Sequence, residues 1–252
     1  MIFLTRRQLA KQLFGATLGL ALAATSGCAA EEAGRPVATP EKKIKIVLVG
    51  DSTVATKSGW GIGFGARLTD GAESINKAAS GRSSKSFRDE GLWEKALATR
   101  PDYVLIQFGH NDMPGKGANR ETDPATTFPE NLTRYVDEAR AQNAKPILVT
   151  SLTRRTFGPD GKIKSSLNAY VDATKKVAQE KNVPLIDLHA LSIALLNEMG
   201  KDDIPPLEPE TKDGKRDFTH LSEKGGEVFG AIVADELGKV VPELASVIKP
   251  RG

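Results

Sequence analysis

Cysteine is nearly absent from this 252-residue chain, where Cys28 is the single one. One thiol forms no internal disulfide, so stability has to come from a packed core. The same scarcity excludes a cysteine nucleophile and a cysteine-rich metal site. Histidine is scarce too: His110, His189 and His220 are the whole supply of imidazole bases. Apart from a shorter N-terminal run, no stretch approaches the roughly 20 apolar residues of a membrane span, so no transmembrane segment is expected. Internal repeats and low-complexity tracts are missing. Excess charge is missing as well. The net charge of +3 comes from 35 basic and 32 acidic residues, and three of the basic ones fall within residues 1–30. The remainder is formally neutral. A nucleic-acid-binding domain is expected to be basic, so no nucleic-acid partner is expected.

What is present begins with an export signal, expected over residues 1–30. Arg6, Arg7 and Lys11 form a positive region, residues 13–24 an apolar one, and small residues lead to Gly27-Cys28-Ala29-Ala30. Thr5-Arg6-Arg7-Gln8-Leu9-Ala10-Lys11 resembles a twin-arginine signal. Thr25-Ser26-Gly27-Cys28 resembles a lipobox, with Thr25 standing where Leu is usual. Two outcomes stay open: lipidation of Cys28, or plain cleavage near Ala30. Residues 31–43, polar and containing Pro36, read as a flexible tether to a domain over 44–245.

That length suits one α/β domain. Short β-branched runs alternate with longer helical patterns. Strands are expected over 44–49, 74–77, 103–108, 146–150 and 184–187, and helices over 62–69, 92–99, 129–141, 165–181, 189–199 and 222–237. Ile46-Val47-Leu48-Val49 and Val104-Leu105-Ile106 are continuously apolar, as strands covered on both faces are. Alternation implies parallel pairing through right-handed crossovers. The expected fold is a three-layer α/β/α sandwich of the flavodoxin-like kind, with a parallel sheet of about five strands.

Ligands of such sheets bind beyond the carboxyl ends of the strands. Four polar, Gly-punctuated segments converge there: Gly50-Asp51-Ser52-Thr53, the stretch after Asn76 through Gly81 to Ser83, Gly109-His110-Asn111-Asp112, and Asp217-Phe218-Thr219-His220. A serine hydroxyl is a weak nucleophile until a base takes its proton. Ser52 is the candidate nucleophile, although Asp51 or Ser52 would also suit a simple turn cap. Among the histidines, His220 is favoured. Its spacing in Asp217-x-x-His220 brings a carboxylate round to the imidazole, and the helix starting after it, with Ser222 as N-cap, anchors the loop. His189 in Asp187-x-His189 is a rival that reads equally as a packed strand-to-helix junction. His110 reads as shaping its loop. Donors for a developing oxyanion are the backbone N–H groups of Ser52 and Gly81 and the side-chain amide of Asn111. Gly81 and Asn111 also suit plain turns.

These blocks, Gly50-Asp51-Ser52, Gly81, Gly109-x-Asn111-Asp112 and Asp217-x-x-His220, resemble those of the SGNH (GDSL-like) hydrolase superfamily, in that family's chain order. Gly59-Trp60-Gly61, Asn76-x-Ala78-x-x-Gly81-Arg82-Ser83-Ser84, Phe108-Gly109-His110-Asn111-Asp112 and Thr153-Arg154-Arg155 make it similar to the rhamnogalacturonan acetylesterase branch. The resemblance runs from about residue 44 to 237. It implies a catalytic set of Ser52, Asp217 and His220, with Ser52, Gly81 and Asn111 as oxyanion hole. It also implies deacetylation of a pectic polysaccharide without metal or other cofactor. Gly61-Ile62-Gly63-Phe64-Gly65 is richer in glycine than that family pattern, which would loosen the wall beside the nucleophile.

Other signals carry less. Gly61-x-Gly63-x-x-Ala66 matches a dinucleotide fingerprint but lies well past the first strand. Val54 replaces the last glycine of a lipase elbow, against an α/β-hydrolase fold. Asp202-Asp203 and Glu208 to Glu210 sit in a Pro-rich loop and read as solvated charges. Trp60 reads either as a sugar-stacking ring or as packing on the sheet edge. Arg154-Arg155 reads either as a clamp for uronate carboxylates or as an ordinary basic loop. The expectation is an exported serine acetylesterase acting on an acetylated polysaccharide. Its alternatives are an esterase for other small acyl esters such as acetylxylan, and a non-catalytic carbohydrate-binding protein on a hydrolase fold.

Overall fold

The computed structural model describes residues 42–251. The expected signal peptide, Cys28 and nearly all of the tether lie outside the described residues. Five strands form the sheet: β1 (Ile44–Gly50), β2 (Ala72–Asn76), β3 (Tyr103–Gln107), β4 (Lys145–Val149) and β5 (Leu185–Ile186). All pairs are parallel and the order is β2-β1-β3-β4-β5. The flavodoxin-like expectation is borne out. Strand limits move by one or two residues from those read off the sequence, because ladder pairing rather than residue type ends a strand.

Among the described residues seven α-helices cover the sheet: α1 (Gly61–Ala66), α2 (Ser86–Asp89), α3 (Leu92–Leu97), α4 (Thr127–Ala141), α5 (Asn168–Glu180), α6 (Leu188–Met199) and α7 (Glu223–Val240). Alternation along β1 assigns the two faces. Ile46 and Leu48 pack with Phe64, Leu196, Phe229 and Val233 from α1, α6 and α7. Val47 and Val49 pack with Trp93, Leu132, Tyr135 and Val177 from α3, α4 and α5. The helices show the matching period: α4 buries Phe128, Leu132, Tyr135, Val136 and Ala139 along one stripe. After α7 the chain turns through a 3-10 helix, Pro242–Val247, whose Leu244 and Val247 close the core.

The topology sets the site. From β1 the chain steps to β2 on one side, then crosses to β3 on the other. The order therefore reverses at β1, and its carboxyl end faces the crevice where sheets of this kind take ligands. Gly50 at that end stands opposite Gln107, the last residue of β3. A side chain at Gly50 would meet the Gln107 carbonyl oxygen at 2.5 Å and Val54 Cγ2 at 2.6 Å. Glycine is needed there for packing.

Candidate active site

Ser52 leaves β1 in a turn tied to its own neighbours. Asp51 Oδ1 accepts from the Thr53 N–H at 2.8 Å and from Thr53 Oγ1 at 2.7 Å. The capping reading of Asp51 thus holds, and it serves to present Ser52. A buried relay continues: Gln107 Nε2 donates to Thr53 Oγ1 at 2.6 Å, and Trp60 Nε1 donates to Gln107 Oε1 at 2.9 Å. Trp60 is fully buried, so its indole braces the nucleophile turn and meets no sugar. Gln107 was not singled out in the sequence. A polar residue ending a continuously apolar strand is the signal that points to it.

His220 and Asp217 meet Ser52 from the other side of the sheet edge. His220 Nδ1 lies 2.8 Å from Asp217 Oδ2, and His220 Nε2 lies 2.8 Å from Ser52 Oγ. With Nδ1–H donated to the carboxylate, Nε2 is free to accept the serine proton. Asp217 Oδ1 also accepts the backbone N–H of Thr219 at 2.8 Å and of His220 at 2.9 Å. Burial alone would raise the Asp217 carboxyl, but these hydrogen bonds outweigh it and hold the group below the usual carboxylate range. The loop is joined directly to the nucleophile turn: Leu221 N–H donates to the Ser58 carbonyl at 2.9 Å, and Ser58 Oγ donates to the Ser52 carbonyl at 2.7 Å. Ser222 caps α7 as read, accepting from Gly225 N–H at 3.0 Å.

Gly81 and Asn111 sit on the strand ends flanking β1. The loop after β2 runs beside it, with Ala79 N–H on the Gly50 carbonyl at 2.9 Å. Gly81 has φ +79°, a conformation that favours glycine. Asn111 Nδ2 donates to the Arg82 carbonyl at 3.2 Å and links the two loops. Beneath them Asp112 collects the Ser84 N–H and Oγ, the Gly109 N–H and Thr122 Oγ, all within 3.2 Å. Burial pushes its carboxyl up to about 7 against those hydrogen bonds.

The rival histidines take structural places. His189 Nδ1 donates to the Ser151 carbonyl at 2.9 Å, while Asp187 accepts from Thr150 Oγ1, Ala190 N–H and Lys175. That is the packed junction. His110 is buried, and neither of its ring nitrogens has a hydrogen-bond partner among the described residues. Its nearest acid is Asp51, with Nδ1 to Oδ2 at 3.7 Å. Burial, with the charges of Arg154 and His220, pushes His110 down to about 3.

The two arginines part company. The Arg155 side chain is fully buried and donates through Nη2 to the carbonyls of Asp217 and His220, so it clamps no substrate. Arg154 is half-buried at the rim, donates to Ser166 Oγ at 3.0 Å, and acts electrostatically on Asp51 and His110. Glu208 is no solvated charge either: it is buried between Arg155 and Arg216. Glycines of the Gly61–Gly65 stretch tighten the wall they were expected to loosen. A side chain at Gly63 would meet the Gly226 carbonyl oxygen at 2.1 Å, so α1 and α7 touch backbone to backbone. Among the described residues no cluster of three or more His, Cys, Asp or Glu side chains is arranged to hold a metal ion.

A strand-end serine hydrogen-bonded to an Asp-oriented imidazole on a parallel sheet defines an acyl-ester hydrolase arrangement. The family model described as the GDSL-like lipase/acylhydrolase family matches residues 48–228, and the chain belongs to that family of carboxylic ester hydrolases. Rhamnogalacturonan acetylesterase RhgT of Bacillus subtilis is 40% identical over an alignment of 219 residues that covers 79% of this chain and 92% of that protein. The rhamnogalacturonan acetylesterase of Emericella nidulans is 28% identical, over 78% of this chain and 84% of its own. The likeness read from the motif blocks is borne out. Among solved structures, protein YXIM of Bacillus subtilis superposes with a TM-score of 0.69 at 26% identity, over 79% of this chain and 57% of that longer one.

Proposed function

We propose that the chain is a serine esterase that removes acetyl groups from a polysaccharide, with pectic rhamnogalacturonan as the substrate. The observation that carries this reading is the pair of 2.8 Å contacts that link Ser52 Oγ, the His220 ring and Asp217 in series. The names of the relatives support the acetyl group and the polymer. In the proposed cycle Ser52 Oγ attacks the acetyl carbonyl and passes its proton to His220 Nε2. Asp217 holds the ring and stabilises the imidazolium. The N–H groups of Ser52 and Gly81 and the amide of Asn111 receive the oxyanion. Collapse expels the sugar alkoxide, which takes the imidazolium proton. A water activated by His220 then cleaves the acetyl-serine, and acetate leaves.

The test is acetate release from acetylated pectin, acetylated xylan and a chromogenic acetate ester, by wild type and Ser52→Ala. Loss of one member of such a unit leaves a residual of only about 10³–10⁴-fold over water, so the variant is expected to lose nearly all turnover on every substrate. Equal rates would remove the nucleophile. A preference for xylan would leave the chemistry standing and change the polymer. Labelling of Ser52 by an organophosphate separates an esterase from a carbohydrate-binding protein on the same fold. Export supplies the setting of the proposal, by the Arg6-Arg7 signal with Cys28 lipidation or cleavage near Ala30. The mass of the mature N-terminus decides between the two.

A further inference from the structure

Arg155 places a positive charge in the interior, beside the Asp217–His220 turn. Its side chain is fully shielded from water. Burying a guanidinium is costly unless its donors and its charge are answered. The answers it receives are specific, and among the described residues only Nη1 lacks a hydrogen-bond partner. Nη2 donates to two carbonyls, those of Asp217, at 2.8 Å, and of His220. These are the first and last residues of the turn whose side chains form the carboxylate–imidazole pair. The Arg155 backbone N–H holds the middle of the same turn, donating to the Phe218 carbonyl at 2.8 Å. The charge is answered by Glu208, whose Oε1 lies 3.4 Å from Arg155 Nε. Glu208 in turn grips Arg216 through both oxygens, at 2.7 and 2.9 Å.

We propose that Arg155 is a positioning residue, which pins both ends of the Asp217–His220 turn to the extension of β4 and so sets the His220 ring at the height Ser52 requires, with Glu208 as the counter-charge that holds it there. The inference rests on the reading of Ser52 and His220 as nucleophile and base. One edge of the turn is already tied to the nucleophile turn through Leu221 and Ser58. Arg155, on the segment after β4, supplies a second anchor, so the imidazole is held between that segment and the nucleophile turn. A planar fork is required for this. Lysine has one nitrogen on a flexible stem and cannot serve two carbonyls and a carboxylate in a fixed plane.

The test compares Arg155→Lys, Arg155→Met and Glu208→Gln with wild type and Ser52→Ala. A misplacement of about 1 Å costs roughly 100-fold. Arg155→Met is expected to lower kcat on a chromogenic acetate ester by about 100-fold with KM within about twofold. Arg155→Lys and Glu208→Gln are expected to fall about 10-fold. The downfield proton resonance of His220 Nδ1–H should be present in wild type and Ser52→Ala, and broadened or lost in Arg155→Met. Where Arg155→Met fails to fold, Arg155→Lys and Glu208→Gln carry the same comparison, with circular dichroism to establish folding. Folded variants with wild-type kcat and an unchanged resonance overturn the proposal. Should Ser52→Ala stay active, the nucleophile assignment falls, while the resonance still reports whether Arg155 holds the turn.

Discussion

At the scale of single residues, the site places a neutral imidazole under the nucleophile. His110 is buried, stands 3.7 Å from Asp51 Oδ2, and is pushed from an ordinary value of 6.5 down to about 3. Arg154, His220, His189 and Lys116 all add positive potential there. A histidine depressed on folding stays neutral in the native chain while the unfolded chain binds a proton below about 6.5. Its contribution is therefore intact above that value and is lost as pH falls towards 3. Asp51 works the other way, since burial raises its carboxyl and acidification relieves that cost. Between pH 7 and 5 the His110 contribution falls by about 2 kcal/mol, while Asp112, raised to about 7, works in the opposite sense in wild type and His110→Asn alike. Wild type should therefore lose more stability in urea than His110→Asn between those two pH values. Parallel losses in the two proteins would show that His110 takes up its proton in the folded state.

At the scale of elements, α1 follows the Ser52 turn and α7 follows the His220 loop, so their contact sets the serine–histidine separation from below. A side chain at Gly230 would meet the Phe64 nitrogen at 2.3 Å and the Trp60 carbonyl oxygen at 2.6 Å. Both atoms are backbone and cannot swing aside. Gly230→Ala would gain up to about 1 kcal/mol of helix propensity on its own, yet overpacking costs about 1–3 kcal/mol. The variant should melt lower than wild type and turn over more slowly, measured well below its Tm. An unchanged melting temperature would mean that the two helices are not held in contact. The sequence showed these glycines but not what they face, so Gly61–Gly65 read as slack. Strands were legible because burial on both faces leaves continuous apolar runs such as Val104-Leu105-Ile106. Four-residue α2 (Ser86–Asp89) and the 3-10 turn Pro205–Leu207 were not, since neither is long enough to show a period.

At the scale of the whole molecule, the residues brought together at one edge are those read from the Gly50-Asp51-Ser52, Gly81, Asn111 and Asp217-x-x-His220 blocks. What escaped were the supporting roles of Gln107, Arg155 and Glu208, whose partners lie 47 to 65 positions away or in loops without pattern. Charge is the other global property. Removal of residues 1–30 leaves as many basic as acidic side chains, so no overall field draws an anionic polymer to the surface. Any preference for a uronate-bearing chain has to be local. Arg154 is the candidate we propose for it: it is half-buried, and among the described residues no carboxylate lies within 4.0 Å of it. Burial lowers its pKa, and the distant Asp51 compensates only in part. A substrate carboxylate beside the acetyl group would supply the missing partner. Arg154→Gln should raise KM for acetylated pectin by roughly 10-fold, about 1.4 kcal/mol, and leave kinetics on a neutral chromogenic acetate ester within about twofold. Added salt should raise the wild-type KM for pectin and barely change that of the variant. If the variant binds acetylated pectin as tightly as wild type does at low salt, Arg154 is no uronate contact and the polymer is recognised through its hydroxyls alone.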